Sequence, residues 1–223
     1  MIAPQDVAFL VDVDNTLLDN DRVIADLRAH LLQQLGPVAT DRYFAIIEVL
    51  RAQRGFVDYL AAFQLLRLEA PDDPKRLLGA QFLLDYSFVD RLYPHALDAL
   101  AHLRSLGATA ILSDGDAVFQ PRKIHRSGIW DAVHGEVLIY VHKEQTLDLV
   151  LHRYPAGHYV MIDDKPHILA AMKQVLGNRL TTVFARQGHY ALDPTATAAA
   201  RSADLTVERI ADVRQIELRS FLC

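Results

Sequence analysis

The 223-residue chain contains a single cysteine, Cys223, so no disulfide can form within it. This excludes the small secreted proteins that depend on internal disulfides. Long hydrophobic runs are also missing, since Asp12 interrupts the only early apolar segment, and no basic N-terminal segment resembles a secretory signal. We therefore expect a cytoplasmic protein that does not span a membrane.

Positive charge is scarce as well. Lys and Arg total 23 against 28 Asp and Glu residues, which gives a formal net charge of −5 and a pI near 6.0. Proteins that bind nucleic acid or an anionic membrane surface typically carry the opposite balance. We expect a small molecule as the partner, and neither a nucleic acid nor a membrane. Composition does not indicate the oligomeric state.

Short strand-like runs recur along the chain and alternate mainly with segments of helical periodicity. This alternation is typical of an α/β protein with a Rossmann-like, doubly wound parallel sheet. The predicted strands are Val7–Val13, Thr109–Leu112, Tyr159–Ile162, Thr181–Ala185 and Leu205–Val207.

The connection between the first two runs, residues 18–92, contains no convincing strand. It has apolar residues at helical spacing and is interrupted at Gly36-Pro37. A connection this long predicts an inserted helical domain rather than a loop. We therefore predict an α/β core formed by residues 1–17 and 93–223, with a small α-helical domain formed by residues 18–92.

Two aspartates, Asp12 and Asp14, end the first apolar run. Residues two apart in a strand project to the same side, so the two carboxylates should lie together. Such a pair needs a cation, and oxygen ligands in a polar crevice suit Mg²⁺. The alternative is a strand end whose two solvated aspartates only cap a helix.

Further polar residues follow the later runs. Ser113 to Asp116 end the second run, Asp163 to Lys165 follow Tyr159–Ile162, and Lys143 lies between these two groups. Ligands of open parallel sheets bind beyond the carboxyl ends of the strands, so these residues should meet at one edge. An acidic cluster with one lysine and one hydroxyl suits a metal-bound phosphate.

Together these motifs resemble those of the haloacid dehalogenase superfamily of hydrolases, most of which are magnesium-dependent phosphatases. The matching residues, in motif order, are Asp12-Val13-Asp14-Asn15-Thr16-Leu17, Ser113, Lys143 and Asp163-Asp164. The resemblance covers about residues 5 to 17 and 93 to 214, and the helical insertion has the position of the family's first type of cap. It implies an Mg²⁺-dependent phosphatase, of the EC 3.1.3 type, that hydrolyses a small phosphorylated metabolite.

The resemblance also implies a role for each residue. Asp12 would be the nucleophile, and Asp14 would be the general acid and then the general base. Ser113 and Lys143 would hold the phosphoryl group and its charge. The implied metal ligands are Asp12, Asp14 through its backbone carbonyl, Asp163 and Asp164. Of the last pair, Asp164 is expected to bind the metal directly.

The residues after the second motif depart from the family pattern. Family phosphatases often carry a small or amide residue where this chain has Asp114, and another negative charge beside an anionic substrate is unexpected. Asp114 and Gly115 are nonetheless candidates for substrate binding because of their position. Lys123, on the helix that follows, is expected to neutralise Asp116.

Two arginines in the insertion, Arg51 and Arg54, are further candidates for substrate binding. A guanidinium binds a phosphate or a carboxylate with two hydrogen bonds. The alternative is that both face solvent, as most charged helix residues do.

Three other functions stay open. A phosphomutase would pass the phosphoryl group from Asp12 to a second substrate, and a non-catalytic regulatory protein would only bind phosphate, for which Asp114 is the one sequence argument. The third is displacement at carbon, as in the dehalogenases of the superfamily. That reaction needs no general acid two residues after the nucleophile, so Asp14 favours phosphoryl chemistry.

Overall fold

Six parallel strands form one sheet, with the order β3-β2-β1-β4-β5-β6. The computed structural model describes residues 6–192 and 203–222, and Cys223 lies outside them. Within these ranges the strands are β1 Val7–Val11, β2 Ala108–Asp114, β3 Val137–Tyr140, β4 His158–Asp163, β5 Leu180–Ala185 and β6 Leu205–Val207. The expected α/β fold with a doubly wound parallel sheet is confirmed.

Helices connect the strands and cover the sheet. In the described part of the chain they are α1 Asn20–Arg54, α2 Tyr59–Leu68, α3 Leu78–Asp85, α4 Ala96–Leu106, α5 Phe119–Arg126, α6 Ile129–Ala132, α7 Leu147–Arg153 and α8 Pro166–Leu176. The first three helices lie between β1 and β2, where the sequence predicts a helical insertion. None of the helices in this part is long and apolar enough to cross a lipid bilayer.

The first predicted strand was too long at its C-terminal end. Strand β1 stops at Val11 because the chain turns sharply after Asp12. The carbonyl of Val13 accepts hydrogen bonds from the backbone amides of Thr16, Leu17 and Leu18, at 2.9–3.2 Å. This turn places the residues after β1 at the edge of the sheet.

Strand β3, Val137–Tyr140, was not predicted from the sequence. It has four residues, all of them only partly buried, and among the described strands it pairs with β2 alone. Val137–Tyr140 is a continuous apolar run, but periodicity alone does not distinguish a strand from a buried helix segment in a run of four residues. Its position matters because the segment that follows it contains Lys143.

The central strand β1 is buried on both faces of the sheet. Phe9 and Val11 pack into one hydrophobic cluster, which continues into the helical insertion, and Ala8 and Leu10 pack into another cluster on the opposite face. This alternation follows from the two-residue period of a strand. Strands β2 and β4 flank β1, and the helices that follow these two strands lie on opposite faces of the sheet. A crevice therefore forms beyond the carboxyl end of β1.

The helical insertion leaves and rejoins the sheet through two neighbouring segments. Leu18 pairs with Leu92 in an antiparallel bridge, and the amide of Tyr93 donates to the carbonyl of Leu17 at 2.9 Å. Helix α1 is interrupted at Gly36, whose φ of 78° is left-handed, and Pro37 follows it. The predicted punctuation at Gly36-Pro37 is therefore a kink between two helical halves.

An ion pair ties the base of α1 to the end of the insertion. The carboxylate of Asp26 accepts hydrogen bonds from the hydroxyl of Tyr86 at 2.5 Å and from the guanidinium of Arg91 at 2.8 Å. Although partial burial raises the pKa of Asp26, hydrogen bonds from Tyr86 and Arg91 lower it below the ordinary value of the free side chain. The ionised form of Asp26 therefore stabilises the folded state.

Asp26→Asn is expected to lower the free energy of unfolding at pH 7 by about 1–2 kcal/mol, because charge-assisted hydrogen bonds are lost. Since the folded-state pKa is lowered, the stabilisation is present above the unfolded pKa of about 3.9 and is lost as the pH falls further. Urea titrations at pH 7, 5 and 3.5 would measure this. Asp41→Asn, which alters an exposed pair with Arg28, is the matched control. A difference as large at pH 3.5 as at pH 7 would contradict the assignment.

Candidate active site

Asp12 lies at the carboxyl end of the central strand and is 1% exposed. Its backbone amide donates to the carbonyl of Ile162 at 3.0 Å, which extends the pairing between β1 and β4 by one residue. The hydroxyl of Thr16 donates to Oδ2 of Asp12 at 3.3 Å. The carboxylate is thus fixed by the backbone of the sheet and by the turn that follows.

Lys143 is fully buried between two aspartates. Its Nζ lies 2.5 Å from Oδ1 of Asp12 and 2.7 Å from Oδ2 of Asp163, and it also donates to the carbonyl of Leu112. Burial opposes the charged form, but Asp12 and Asp163 raise the pKa of Lys143 above its ordinary value. Burial likewise raises the pKa of Asp12, yet the lysine ammonium lowers it below its ordinary value. Asp12 is therefore an ionised carboxylate next to an ammonium group.

Three buried carboxylates converge at this edge of the sheet. One oxygen each from Asp12, Asp163 and Asp164 lie within 4.8 Å of one another. Among the described residues, neither carboxylate oxygen of Asp164 has a hydrogen-bond partner, although the residue is fully buried. Burial raises the pKa of Asp163 and raises that of Asp164 still further. An oxygen-only donor set with an unpartnered buried carboxylate suits a hard divalent cation.

Asp14 lies beside this cluster, and its carboxylate is held by two residues of α5. Nζ of Lys123 is 2.7 and 2.9 Å from the two carboxylate oxygens, and Nε2 of Gln120 donates to Oδ2 at 3.3 Å. The expectation that Lys123 neutralises Asp116 was wrong. Asp116 instead accepts the amides of residues 118 and 119 at the start of α5, while the long buried side chain of Lys123 reaches Asp14.

Ser113 is the penultimate residue of β2 and is buried next to the same helix. Its hydroxyl accepts a hydrogen bond from Nε2 of Gln120 at 2.9 Å. The carboxylate of Asp114 accepts the backbone amide of Lys143 at 2.8 Å, so it positions the Lys143 segment. A Cβ at Gly115 would lie 2.7 Å from the side chain of Gln120, so only glycine fits there without a shift. Asp114 and Gly115 also line the cleft described next.

A cleft of about 610 Å³ separates the helical insertion from the carboxyl edge of the sheet. From the insertion it is lined by Asn20, Arg51, Gly55, Phe56, Val57 and Tyr59. From the core it is lined by Asp14, Asn15, Asp114, Gly115, Asp116, Phe119, Gln120, Lys123, His142, Glu144, Gln145, Lys165, His167, Ile168, Ala171, His189 and Tyr190. Its size is in the range of small-molecule sites.

The two candidate arginines have different positions. Arg51 lines the cleft, and among the described residues its guanidinium pairs only with Glu48, in a long, exposed contact at 3.5 Å. Arg54 is paired with Asp58 at the N-terminus of α2 and does not line the cleft, and its role in substrate binding stays a prediction. The guanidinium reaches a carboxylate one helical turn away instead.

Several residues that line the cleft received no catalytic or binding role from the sequence. Lys165 directly follows the acidic pair Asp163-Asp164, so its position was a signal, and the surrounding carboxylates raise its pKa despite burial. Gln120 and Lys123 are three residues apart on α5, a spacing that places both on one helix face. The loop residues His189 and Tyr190 follow no periodic pattern, so no local signal marks them.

Comparisons with known proteins place this arrangement in a family. Residues 7–175 match a family model described as haloacid dehalogenase-like hydrolase. A haloacid dehalogenase-like hydrolase from Burkholderia xenovorans LB400, named as such on a provisional basis, is 57% identical. Its crystal structure superposes with a TM-score of 0.91 over 99% of this chain and 100% of that one. No curated protein matches.

More distant solved structures share the fold alone. L-2-haloacid dehalogenase from Xanthobacter autotrophicus is 19% identical, with a TM-score of 0.63 over 96% of this chain and 98% of that chain. The HAD-hydrolase YfnB from Bacillus subtilis is 16% identical, with a TM-score of 0.64 over 95% of this chain and 98% of that chain. The latter structure contains magnesium and reveals interdomain movement.

Proposed function

Because the chain belongs to the haloacid dehalogenase-like hydrolase family, we propose that it is an Mg²⁺-dependent phosphatase of small phosphorylated metabolites. The observation that carries this proposal is the second carboxylate, Asp14, held at the cleft by Lys123 and Gln120. Hydrolysis of a phosphate ester needs an acid that protonates the departing alcohol, whereas displacement of a halide at carbon does not.

In the proposed reaction Asp12 attacks phosphorus, and a bond forms between its carboxylate oxygen and the phosphoryl group. The bond to the alcohol oxygen breaks, and Asp14 gives that oxygen a proton. Water then attacks the aspartyl-phosphate and loses a proton to Asp14, so that phosphate leaves and Asp12 is restored. The ammonium of Lys143 and the hydroxyl of Ser113 stabilise the charge on the phosphoryl oxygens.

Asp12, Asp163 and Asp164, with the backbone carbonyl of Asp14, would hold Mg²⁺. When bound, the cation would neutralise charge shared by the phosphate and the buried carboxylates. The unpartnered carboxylate of Asp164 supports it as the direct ligand.

We further propose that residues 18–92 act as a cap on the core, residues 1–17 and 93–223. The bridge between Leu18 and Leu92 supports these boundaries, because both chain crossings lie there. Asp12 is 1% exposed, so a substrate must enter through an opening between the cap and the sheet. The interdomain movement of the magnesium-bound Bacillus subtilis hydrolase supports such an opening.

Phosphate release tests the proposed activity. A panel of sugar, nucleotide and small-acid phosphates would be assayed with Mg²⁺ and with excess chelator, beside a panel of 2-haloacids. Mg²⁺-dependent phosphate release, lost with chelator, is the expected result. Halide release that is insensitive to chelator would overturn the proposal. Transfer of phosphate to a second sugar phosphate without release would establish a phosphomutase.

Asp14→Asn is expected to lower kcat/KM, which reports formation of the aspartyl-phosphate and not its hydrolysis, by about 10²–10⁴-fold on alkyl phosphates, because general acid catalysis is lost. The loss should be clearly smaller on 4-nitrophenyl phosphate, whose leaving group departs without a proton. Steady-state rates on both esters, for the variant and the wild type, give this comparison. An equal loss on both esters would contradict the role of Asp14 as acid and indicate that it acts on binding.

A further inference from the structure

Three ring side chains form a row along one side of the cleft. The rings of His189 and Tyr190, on the loop after β5, have centroids 4.2 Å apart and are tilted by 36°. The ring of His167, on the first turn of α8, has its centroid 6.3 Å from that of Tyr190. All three residues line the cleft, and we call them the ring row.

The first ring of the row is fixed by hydrogen bonds. Nδ1 of His189 lies 2.7 Å from Oδ1 of Asp21, and the backbone amide of His189 donates to Oδ2 of Asp21 at 2.7 Å. The side-chain amide of Asn15 donates to the same carboxylate at 3.0 Å. Gly188 has a left-handed φ of 68°, and a Cβ there would lie 2.6 Å from Asn15. The loop is therefore held tightly against the segment after β1.

This attachment brings the ring row to the residue that follows the proposed general acid. Asn15 directly follows Asp14, and its side-chain nitrogen lies 3.4 Å from Nδ1 of His189. Since Asp14 would protonate the oxygen of the leaving group, groups that line the cleft next to it would face that leaving group. Phe56 and Val57 line the same cleft from the helical insertion and add apolar surface.

We propose that the ring row binds a planar heterocyclic ring in the leaving group, so that the substrate is a nucleoside monophosphate. This inference rests on the proposed phosphatase function. Rings that line a cleft offer faces for stacking, which any base satisfies. Among the described residues Nε2 of His189 has no hydrogen-bond partner, so it is free to bond a ring heteroatom. A cleft of about 610 Å³ accommodates a molecule of this size.

The test compares AMP and UMP with ribose 5-phosphate, which has the same phosphorylated sugar and no base. The expected kcat/KM is at least about ten-fold higher for the nucleotides, as stacking of one base predicts. Tyr190→Ala should bring this ratio close to one, and Tyr190→Phe, which keeps the ring, should preserve it. The ratio is the readout, so a general loss of rate does not mimic the effect. A wild-type ratio near one, or a ratio unchanged in Tyr190→Ala, would overturn the inference.

A binding measurement separates this inference from the proposed function. Calorimetry with AMP and with ribose 5-phosphate, on the wild type and on Tyr190→Ala, needs no turnover. Tighter binding of AMP that depends on the ring, without phosphate release from any ester, would sustain the ring row and refute the phosphatase. Phosphate release with equal affinities for both compounds would sustain the phosphatase and refute the ring row. Thermal unfolding of each variant checks that it is folded.

Discussion

Replacing Asp12 with asparagine is expected to lower kcat by about 10⁴-fold or more, because a neutral amide cannot attack phosphorus and form the aspartyl-phosphate. The fold should survive the change. Asparagine has nearly the same shape, and the ammonium of Lys143 keeps Asp163 as a partner at 2.7 Å. Phosphate release on the best substrate, together with thermal unfolding, measures both effects.

Asp41→Asn provides the control for this experiment. It makes the same chemical change on the surface of the helical insertion, where Asp41 is exposed and pairs with Arg28. Its rate should match the wild type. Retention of most of the activity in Asp12→Asn would contradict covalent catalysis by this residue, whatever the substrate.

The second large effect is expected for Lys143→Met, in both activity and stability. Methionine fills a similar volume but leaves Asp12 and Asp163 buried without their common countercharge. Breaking a buried ion pair in this way costs about 3–5 kcal/mol, which corresponds to roughly 10 °C in Tm for a chain of this length. Phosphate release should also fall below detection, since the charge on the phosphoryl group loses its partner.

Addition of Mg²⁺ is expected to recover part of the lost stability of Lys143→Met, since a cation at the carboxylates would replace some of the missing charge. Thermal unfolding with Mg²⁺ and with chelator measures this. Lys75→Met, a change at an exposed lysine of the insertion, is the matched control and should alter neither Tm nor rate. An unchanged Tm in Lys143→Met would show that the buried pair does not stabilise the fold.

The candidate site was predictable because parallel strands place their carboxyl ends at one edge. Asp12, Ser113 and Asp163 each lie within one residue of the carboxyl end of a strand, so the topology alone brings them together. The segment with Lys143 follows β3, which pairs beside β2, and this adds the lysine to the same edge. The position of polar residues after the strand-like runs therefore indicated which side chains lie close together, even though β3 itself was not predicted.

The partners of long charged side chains were not predictable in the same way. A lysine or arginine reaches several residues, so its partner depends on how helices pack. Lys123 pairs with Asp14 because α5 packs against the turn after β1, and Arg54 pairs with Asp58 across the end of α1. Helix periodicity fixes the face on which each residue lies but not the partner on the next element.

The sequence by itself determined the α/β class, the helical insertion and the set of acidic and basic residues at the edge of the sheet. Each of these follows from the periodicity of short segments and from the positions of polar residues directly after the strand-like runs. Only the tertiary structure decided that Asp114 positions the Lys143 segment, that Lys123 orients Asp14 and that His189 lies beside Asn15. Such contacts join elements far apart in the chain, and their geometry is set by packing and by single hydrogen bonds that no local pattern records.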